Sequence, residues 1–155
     1  MEEFYLPVAD INQQTFVPAM ILRADAAIEK ERKNLTPFNI LESLMLPALG
    51  NAAKNFAHAQ SSVDLARVAC ALERYRLAHG EYPETLDALI PQFIEKMPHD
   101  IIGGKPLHYR RMDDGKFLLY SVGWNEMDDG GQIILTKDES VDCEKGDWVW
   151  QYPLK

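Results

Sequence analysis

The chain has 155 residues, 46% of them apolar, and a formal net charge of −8. That size and composition fit one domain with a real core and exclude global disorder. The acidic balance excludes non-specific nucleic-acid binding and docking on an anionic membrane surface, both of which need clustered Lys and Arg; it reads as a solubility feature.

The chain opens Met1-Glu2-Glu3, the wrong sign for a signal-peptide n-region. No run approaches 18 apolar residues, so no transmembrane helix is encoded here. The expectation is a soluble fragment of a longer protein, with any membrane tether supplied by segments outside this chain. Residues 1–16 lack periodicity and predict an extended or irregular arm. Pro18 suits a first helical turn. Met20, Ile21, Ala24, Ala27 and Ile28 recur at helical spacing, which predicts a helix over 19–33. Asn34-Leu35-Thr36-Pro37 stops it, and Thr36 with Pro37 caps the next helix. Residues 1–36 are therefore read as an N-terminal arm and helix. Residues 37–155 are read as an α+β domain, the two making one globular unit.

A long helix is predicted from Phe38 to His79. Ile40, Leu41, Leu44, Met45 and Leu49 mark its first apolar face, and Pro47 and Gly50 are expected to kink or break it. From Asn51 the pattern sharpens. Val63, Leu65, Val68, Leu72, Tyr75 and Leu77 form the inward stripe, with Cys70 expected as a small buried residue. Gly80 ends the helix. Glu81-Tyr82-Pro83 is a turn, and Thr85 to Ile90 predicts a short helix. Pro91 and Pro98 break the segment between them, which leaves Phe93-Ile94 as a packed turn.

The period then changes from helical to alternating. Residues 107–112 and 117–122 read as two strands joined at Asp113-Asp114-Gly115-Lys116, with Asp-Gly the favoured hairpin pair. A third strand is expected at Trp148-Val149-Trp150-Gln151-Tyr152. The fold class is thus α+β: a long, kinked helix packed on a small antiparallel sheet, with an extra N-terminal helix. The physical reason is that the Leu65–Leu72–Tyr75 stripe needs an apolar partner, which Leu107, Tyr109, Phe117, Leu119 and Tyr120 provide.

No catalytic motif is present. Cys70 and Cys143 lack CxxC spacing and imply neither zinc nor redox chemistry. His58, His79, His99 and His108 contain no pair four residues apart. His99-Asp100 invites a general-base reading, against which stands an ordinary hydrogen-bonded loop histidine. Ser61, Ser62 and Ser121 lack a nucleophile elbow. Gly103-Gly104-Lys105 lacks the phosphate-loop spacing and precedes a strand. Asp128-Asp129-Gly130-Gly131 is the one ligand-like cluster. With Asn125, Glu126, Asp138, Asp142 and Asp147 it offers the oxygen ligands that Ca²⁺ prefers, against the alternative of a solvated acidic turn. Trp124, Trp148 and Trp150 offer rings for stacking on a sugar or peptide, against the alternative of packing.

The stretch from Leu65 to Gly131 resembles type IV pilin-like proteins. In particular it resembles the major pseudopilins of type II secretion systems, and bacterial proteins of the Verrucomicrobia and Planctomycetes that carry this domain at their C-terminus. The matching residues run from Ala71 to Pro83 and include Tyr75, Gly80, Tyr82 and Pro83 of the Y-x-x-x-x-G-x-Y-P turn. Thr85-Leu86-Asp87-Ala88-Leu89, Leu119-Tyr120-Ser121-Val122-Gly123 and Asp128-Asp129-Gly130-Gly131 come after it in order. The prepilin leader of that family is absent from this sequence. The resemblance implies a long helix, a short helix and a small antiparallel sheet. It implies a non-enzymatic structural or protein-interaction module, exported or membrane-tethered, with protein partners or self-assembly. It implies a calcium site around Asp128 and Asp129, with Asn125 and a downstream Asp142 or Asp147. Ile133-Ile134-Leu135 intervenes, and as a strand it would leave the Asp-Asp-Gly-Gly stretch a plain hairpin turn. The alternative function is a carbohydrate- or peptide-binding domain using Trp124, Trp148 and Trp150 as exposed rings.

Overall fold

The computed structural model describes residues 9–10, 14–19, 23, 26 and 40–150. Pro18, Ala19, Arg23 and Ala26 are helical. The rest of the expected first helix, the boundary at 36/37 and the end of the expected last strand (Gln151, Tyr152) lie outside the described residues. In the arm, β1 (Ala9–Asp10) and β2 (Thr15–Phe16) pair antiparallel, Ala9 opposite Phe16.

The long helix, α1, spans Ile40–His79. It is rich in Ala and Leu and lacks a β-branched run, so intrinsic preference and pattern agree. Its C-terminus is Gly80 at φ +86, whose N–H bonds the Arg76 carbonyl at 2.7 Å. The break expected at Pro47 and Gly50 does not occur: the helix is continuous through both. A proline removes one backbone bond and crowds one carbonyl. Propagation from the turns on either side outweighs that local loss.

After α1 come a 3-10 turn (Leu86–Leu89) and five strands: β3 (His108–Arg111), β4 (Phe117–Ser121), β5 (Ile133–Leu135), β6 (Val141–Gly146) and β7 (Trp148–Val149). Strands β3, β4 and β7 form an antiparallel sheet in that order; β5 and β6 form a separate hairpin. The fold is α+β. The β3–β4 hairpin lies where the alternation placed it, with Arg111 opposite Phe117. Its loop closes through Met112 N–H on the Lys116 carbonyl at 2.9 Å, with Gly115 at φ +75. That left-handed last loop position is the reason for a glycine there. The expected last strand is shorter: β7 is two residues, and the Trp150 N–H adds one more bond to the Leu119 carbonyl at 2.9 Å. The β5–β6 hairpin was not expected as a pair.

Two apolar clusters lie along α1. Toward its C-terminus Leu65, Val68, Ala69, Ala71 and Leu72 meet Tyr82, Leu89, Leu107 and Leu119, with Tyr75, Tyr109 and Phe117 at the margin. Toward the middle of α1, Ala57 meets Ile101, Ile102, Trp124 and Trp148, with Phe16, Ala53 and Val122 alongside. The stripe predicted from Leu65 to Tyr75 is the packed one. Val63 and Leu77, expected within it, are 54% and 77% exposed, and Cys70, expected buried, is exposed. These three are seven residues apart and stand on the side of the helix away from Leu65, Val68 and Leu72.

The turn after α1 is bolted to the hairpin. Arg111 donates to the Tyr82 carbonyl (3.0 Å), Glu84 (2.9 Å) and Glu81 (2.7 Å), and Tyr109 donates to the Pro83 carbonyl at 2.7 Å. The Tyr82 hydroxyl donates to Glu73, which also holds Arg76 at 2.8 Å. Burial and the Glu73 carboxylate push the Tyr82 hydroxyl up to about 12.

Leu72 is fully buried in the larger cluster, whereas Met127 is 62% exposed. Leu72→Ala should lose about 2–5 kcal/mol in urea denaturation and Met127→Ala less than about 0.5 kcal/mol. Equal losses at the two positions would contradict this packing.

Candidate functional site

The polar groups at the far end of the sheet centre on two buried carboxylates, Asp100 and Asp147, each 1% exposed. Asp100 sits in the turn before β3, where its N–H bonds the Lys105 carbonyl at 2.7 Å. Its Oδ1 accepts the Ile102 N–H (2.9 Å) and the Ser121 hydroxyl (2.8 Å), and its Oδ2 accepts the Val122 N–H at 3.1 Å. One side chain therefore ties the turn before β3 to the end of β4. Burial raises its pKa, against the lowering effect of those three donors. Ser121 is fully buried and gives its proton to Asp100, not to a histidine, so it is not presented to a substrate. His99 is held in a bridge with Pro106.

Asp147 performs the same task for the acidic loop. Its Oδ2 accepts the Gly131 N–H at 2.6 Å and its Oδ1 the Asp129 N–H at 3.3 Å, while its own N–H bonds the Gln132 carbonyl at 2.8 Å. Burial raises its pKa too, opposed by the loop N–H groups. Gly131, at φ +83, is required here: a Cβ would come within 2.7 Å of Leu118 Cδ2.

The other acids of the loop have separate partners. Asp128 Oδ1 accepts the Tyr120 hydroxyl and the Gly130 N–H, both at 2.9 Å, and Oδ2 lies 3.4 Å from His108 Nδ1. The His108 ring stacks on Tyr120 at 4.8 Å. The Gly130 N–H and the Tyr120 hydroxyl hold Asp128 below the usual carboxylate range. Burial and Asp128 push the Tyr120 hydroxyl up to about 12. Asn125 donates its amide to Asp129 at 3.0 Å and caps the Met127 N–H at 3.1 Å. Asp142 lies on β6, where it accepts the Glu144 N–H at 2.9 Å. Of the five residues considered for calcium, Asn125, Asp129 and Asp147 meet around one turn. Asp128 is engaged with Tyr120 and His108, and Asp142 with its own strand. Among the described residues no three Asp, Glu, His or Cys side chains gather as a metal site. Asp147 is aimed at loop N–H groups, Asp128 at the Gly130 N–H and the Tyr120 hydroxyl, and Asp129 at the Asn125 amide, so a hard cation here would compete with these donors. Ile133–Leu135 is a strand, so Asp128-Asp129-Gly130-Gly131 leads directly into the β5–β6 hairpin.

The tryptophans are packing residues. Trp124 and Trp148 are 5% and 3% exposed within the second cluster, and Trp148 meets His58 edge-on at 5.0 Å and donates to the Cys143 carbonyl at 3.3 Å. Trp150 packs partly buried against the first cluster. The three exposed rings that the carbohydrate- or peptide-binding alternative needs are not presented, because the sheet is too narrow to cover α1 and the indoles fill the remaining space. Cys70 and Cys143 are both free thiols.

A groove of about 510 Å³ opens between α1 and the arm, lined among others by Phe16, Phe56, Asp64, Arg67, His99 and Ile101. Its Asp64 is engaged by Gln60 at 3.0 Å and Arg67 at 3.1 Å, and Asp10 lines it as well. Sequence reading missed the clamping role of Asp100 and Asp147. A signal for both exists: each directly precedes or follows an apolar or aromatic run inside a Gly-containing turn. No family model, curated protein or solved structure matches the chain.

The raised pKa of Asp100 fixes the sign of a pH effect. The folded state holds the proton more tightly than the unfolded one. The contribution of this group is therefore fully present below the unfolded pKa of about 3.9, and is lost as pH rises through the folded value. Asp100→Asn, uncharged throughout, should cost about 1–3 kcal/mol at low pH through one lost acceptor, and should flatten the fall in stability above pH about 4. Urea titrations across pH check this, and an unchanged slope would refute it.

Asp128 and Asp147 already have backbone donors and Asp129 has the Asn125 amide, so Ca²⁺ would have to displace them. Melting temperatures in millimolar Ca²⁺ and in EDTA should coincide. A rise of about 4 °C or more that Asp129→Ala removes would show that the loop turns its carboxylates to the cation instead.

Proposed function

We propose that this chain is a non-enzymatic, pilin-like structural or protein-interaction module belonging to a longer exported or membrane-tethered protein. The observation that carries the reading is how the polar side chains are employed. Asp100, Ser121 and Asp147 are buried and hold loops, and Asp128, Tyr120 and His108 hold one another. Catalysis requires a positioned acid, base or nucleophile within reach of a substrate. Of these groups Asp100, Ser121 and Asp147 are sealed from solvent, and Asp128 is engaged by Tyr120, His108 and the Gly130 N–H.

Two further features support a module built around its helix. The Tyr82-Pro83 turn, the residues that carry the pilin-like resemblance, locks α1 to the hairpin through Arg111, Tyr109 and Glu73. The helix also has 40 residues against sheet strands of two to five. Among the described residues no helix is long and apolar enough to cross a membrane. The tether in this reading lies outside the chain, and the domain stands on the extracytoplasmic side of the envelope.

The test is made on the full-length gene product. Alkaline phosphatase fused after Lys155 should be active in living cells, which places the domain outside the cytoplasm, and purified protein should be inert in esterase, phosphatase, glycosidase and peptidase panels. An inactive fusion at normal protein levels would overturn the export. Turnover that a single substitution at His99 or Asp100 abolishes would overturn the non-enzymatic assignment.

A further inference from the structure

On the side of α1 turned from Leu65, Val68 and Leu72, exposed residues recur every seven positions, Phe56 among them with its ring 6.2 Å from that of Phe16 in the arm. They are Leu49 (58% exposed), Phe56 (62%), Val63 (54%), Cys70 and Leu77 (77%), interleaved with Ala52, Ala59 and Ala66. This is a heptad seam with large or soft residues at one position and alanine at the other as far as Ala66, Glu73 taking the next place. A straight helix drifts about 20° per heptad, so over four heptads the seam winds about 80° around α1. A strip one helix wide, about 42 Å long and wound in this way is matched by another helix and not by a flat surface.

Charge points to a second copy. The chain carries −8, yet from Ala48 to His79 the only acids are Asp64 and Glu73. Asp64 is paired with Arg67 and Glu73 with Arg76 and Tyr82. The seam is where two acidic molecules can meet without opposing bare carboxylates.

Shape settles the direction. Phe93 and Ile94 wall one flank of the seam, making a groove of about 440 Å³ over Val63, Ala66 and Cys70. The exposed Phe56 lies ten residues from Ala66. A two-fold axis level with residue 61, helices antiparallel, brings Phe56 of each copy opposite Ala66 of the other, at that groove. The same axis sets Val63 against Ala59 and Cys70 against Ala52, large against small in the central layers with Leu49 facing Glu73 beyond them, whereas a parallel pair would stack Phe on Phe and Ala on Ala.

We propose that α1 pairs antiparallel with α1 of a second copy, each Phe56 seated in the other copy's Val63–Ala66–Cys70–Phe93–Ile94 groove. The proposal rests on the interaction-module reading and names its partner. The interface is isologous, since knob and groove lie on the same surface patch.

The test uses the full chain. Sedimentation over about 1 μM to about 1 mM should show a reversible dimer, and Phe56→Asp or Val63→Asp should weaken it at least about tenfold with an unchanged circular dichroism melt of the monomer. In a Cys143→Ser background, oxidation should leave Cys70 unlinked, because two copies of it stand about 27 Å apart along the axis. Adding Ala52→Cys should then give a disulfide-linked dimer. A monomer at every concentration, dimerisation untouched by both aspartates, or a Cys70–Cys70 bridge without Ala52→Cys would overturn the proposal. The alkaline phosphatase result would stand in any of those cases, so the two readings fail separately.

Discussion

The rest of the structure depends on a mismatch of size: a 40-residue helix has to bury one face against a sheet whose longest strand in contact, β4, has five residues. The hairpin covers Leu65, Val68 and Leu72, and the strands left for Ala57 and Ala53 offer only Phe16 of β2 and Trp148 of β7. Loops cover the rest, through Ile101, Ile102, Val122 and Trp124. Loops brought against a core carry backbone N–H groups into a place where water cannot satisfy them, and each unpaired one costs about 1–3 kcal/mol. Asp100 and Asp147 are the answer to that constraint. A carboxylate offers several acceptor sites on one side chain, enough to close a whole turn. Their own burial is the cost, visible in the upward push on both pKa values, and the donors they gather offset it.

The same logic explains the exposed end of the domain. Glu73, Arg76 and Tyr82 on one side, and Arg111 with Glu81 and Glu84 on the other, join α1, the turn and the hairpin by charge-assisted bonds at the margin of the larger cluster. Pairs this exposed contribute little energy singly. Their value is geometric, because Arg111 reaches the Tyr82 carbonyl as well as two carboxylates and so sets the angle at which the chain leaves the helix. The apolar contact supplies the stability and the polar frame supplies the direction.

Local rules made the β3–β4 hairpin, the helix end at Gly80 and the Leu65–Leu72 face legible, since alternation, an Asp-Gly turn and a helical stripe each act over a few residues. The β5–β6 hairpin was not legible. Its second strand, Val141–Gly146, includes Asp142, Cys143, Glu144 and Lys145, a polar segment with weak β preference that pairs because Ile133–Leu135 presents an edge. Pro47 differs in the other direction: of the kink or break that its local penalty predicts, the break does not form, because cooperativity carries the helix through. The acidic loop was legible as a turn with carboxylates. What those carboxylates bind depends on N–H groups whose direction is set by tertiary folding, and residue types alone do not encode it. The indoles illustrate the same limit, because whether a tryptophan stacks on a ligand or fills a gap is decided by how much of a helix the sheet leaves bare.

Val63, Cys70 and Leu77 show why spacing alone can merge two faces of one helix. Leu65, Val68 and Leu72 follow one another at steps of three and four, and so do Val63, Ala66 and Cys70. The two sets share a period and differ in phase: at about 100° per residue, Val63 stands about 160° around the helix from Leu65. When both sets are apolar, a hydrophobicity pattern merges them into one broad stripe and assigns every member to the core. Exposure separates them: Leu65, Val68 and Leu72 are buried, and Val63, Cys70 and Leu77 are bare. Apolar residues scattered singly on a surface need no explanation, but five at constant spacing are an ordered surface. In this chain the second face is therefore information about what lies outside the fold, carried on the same helix that builds it.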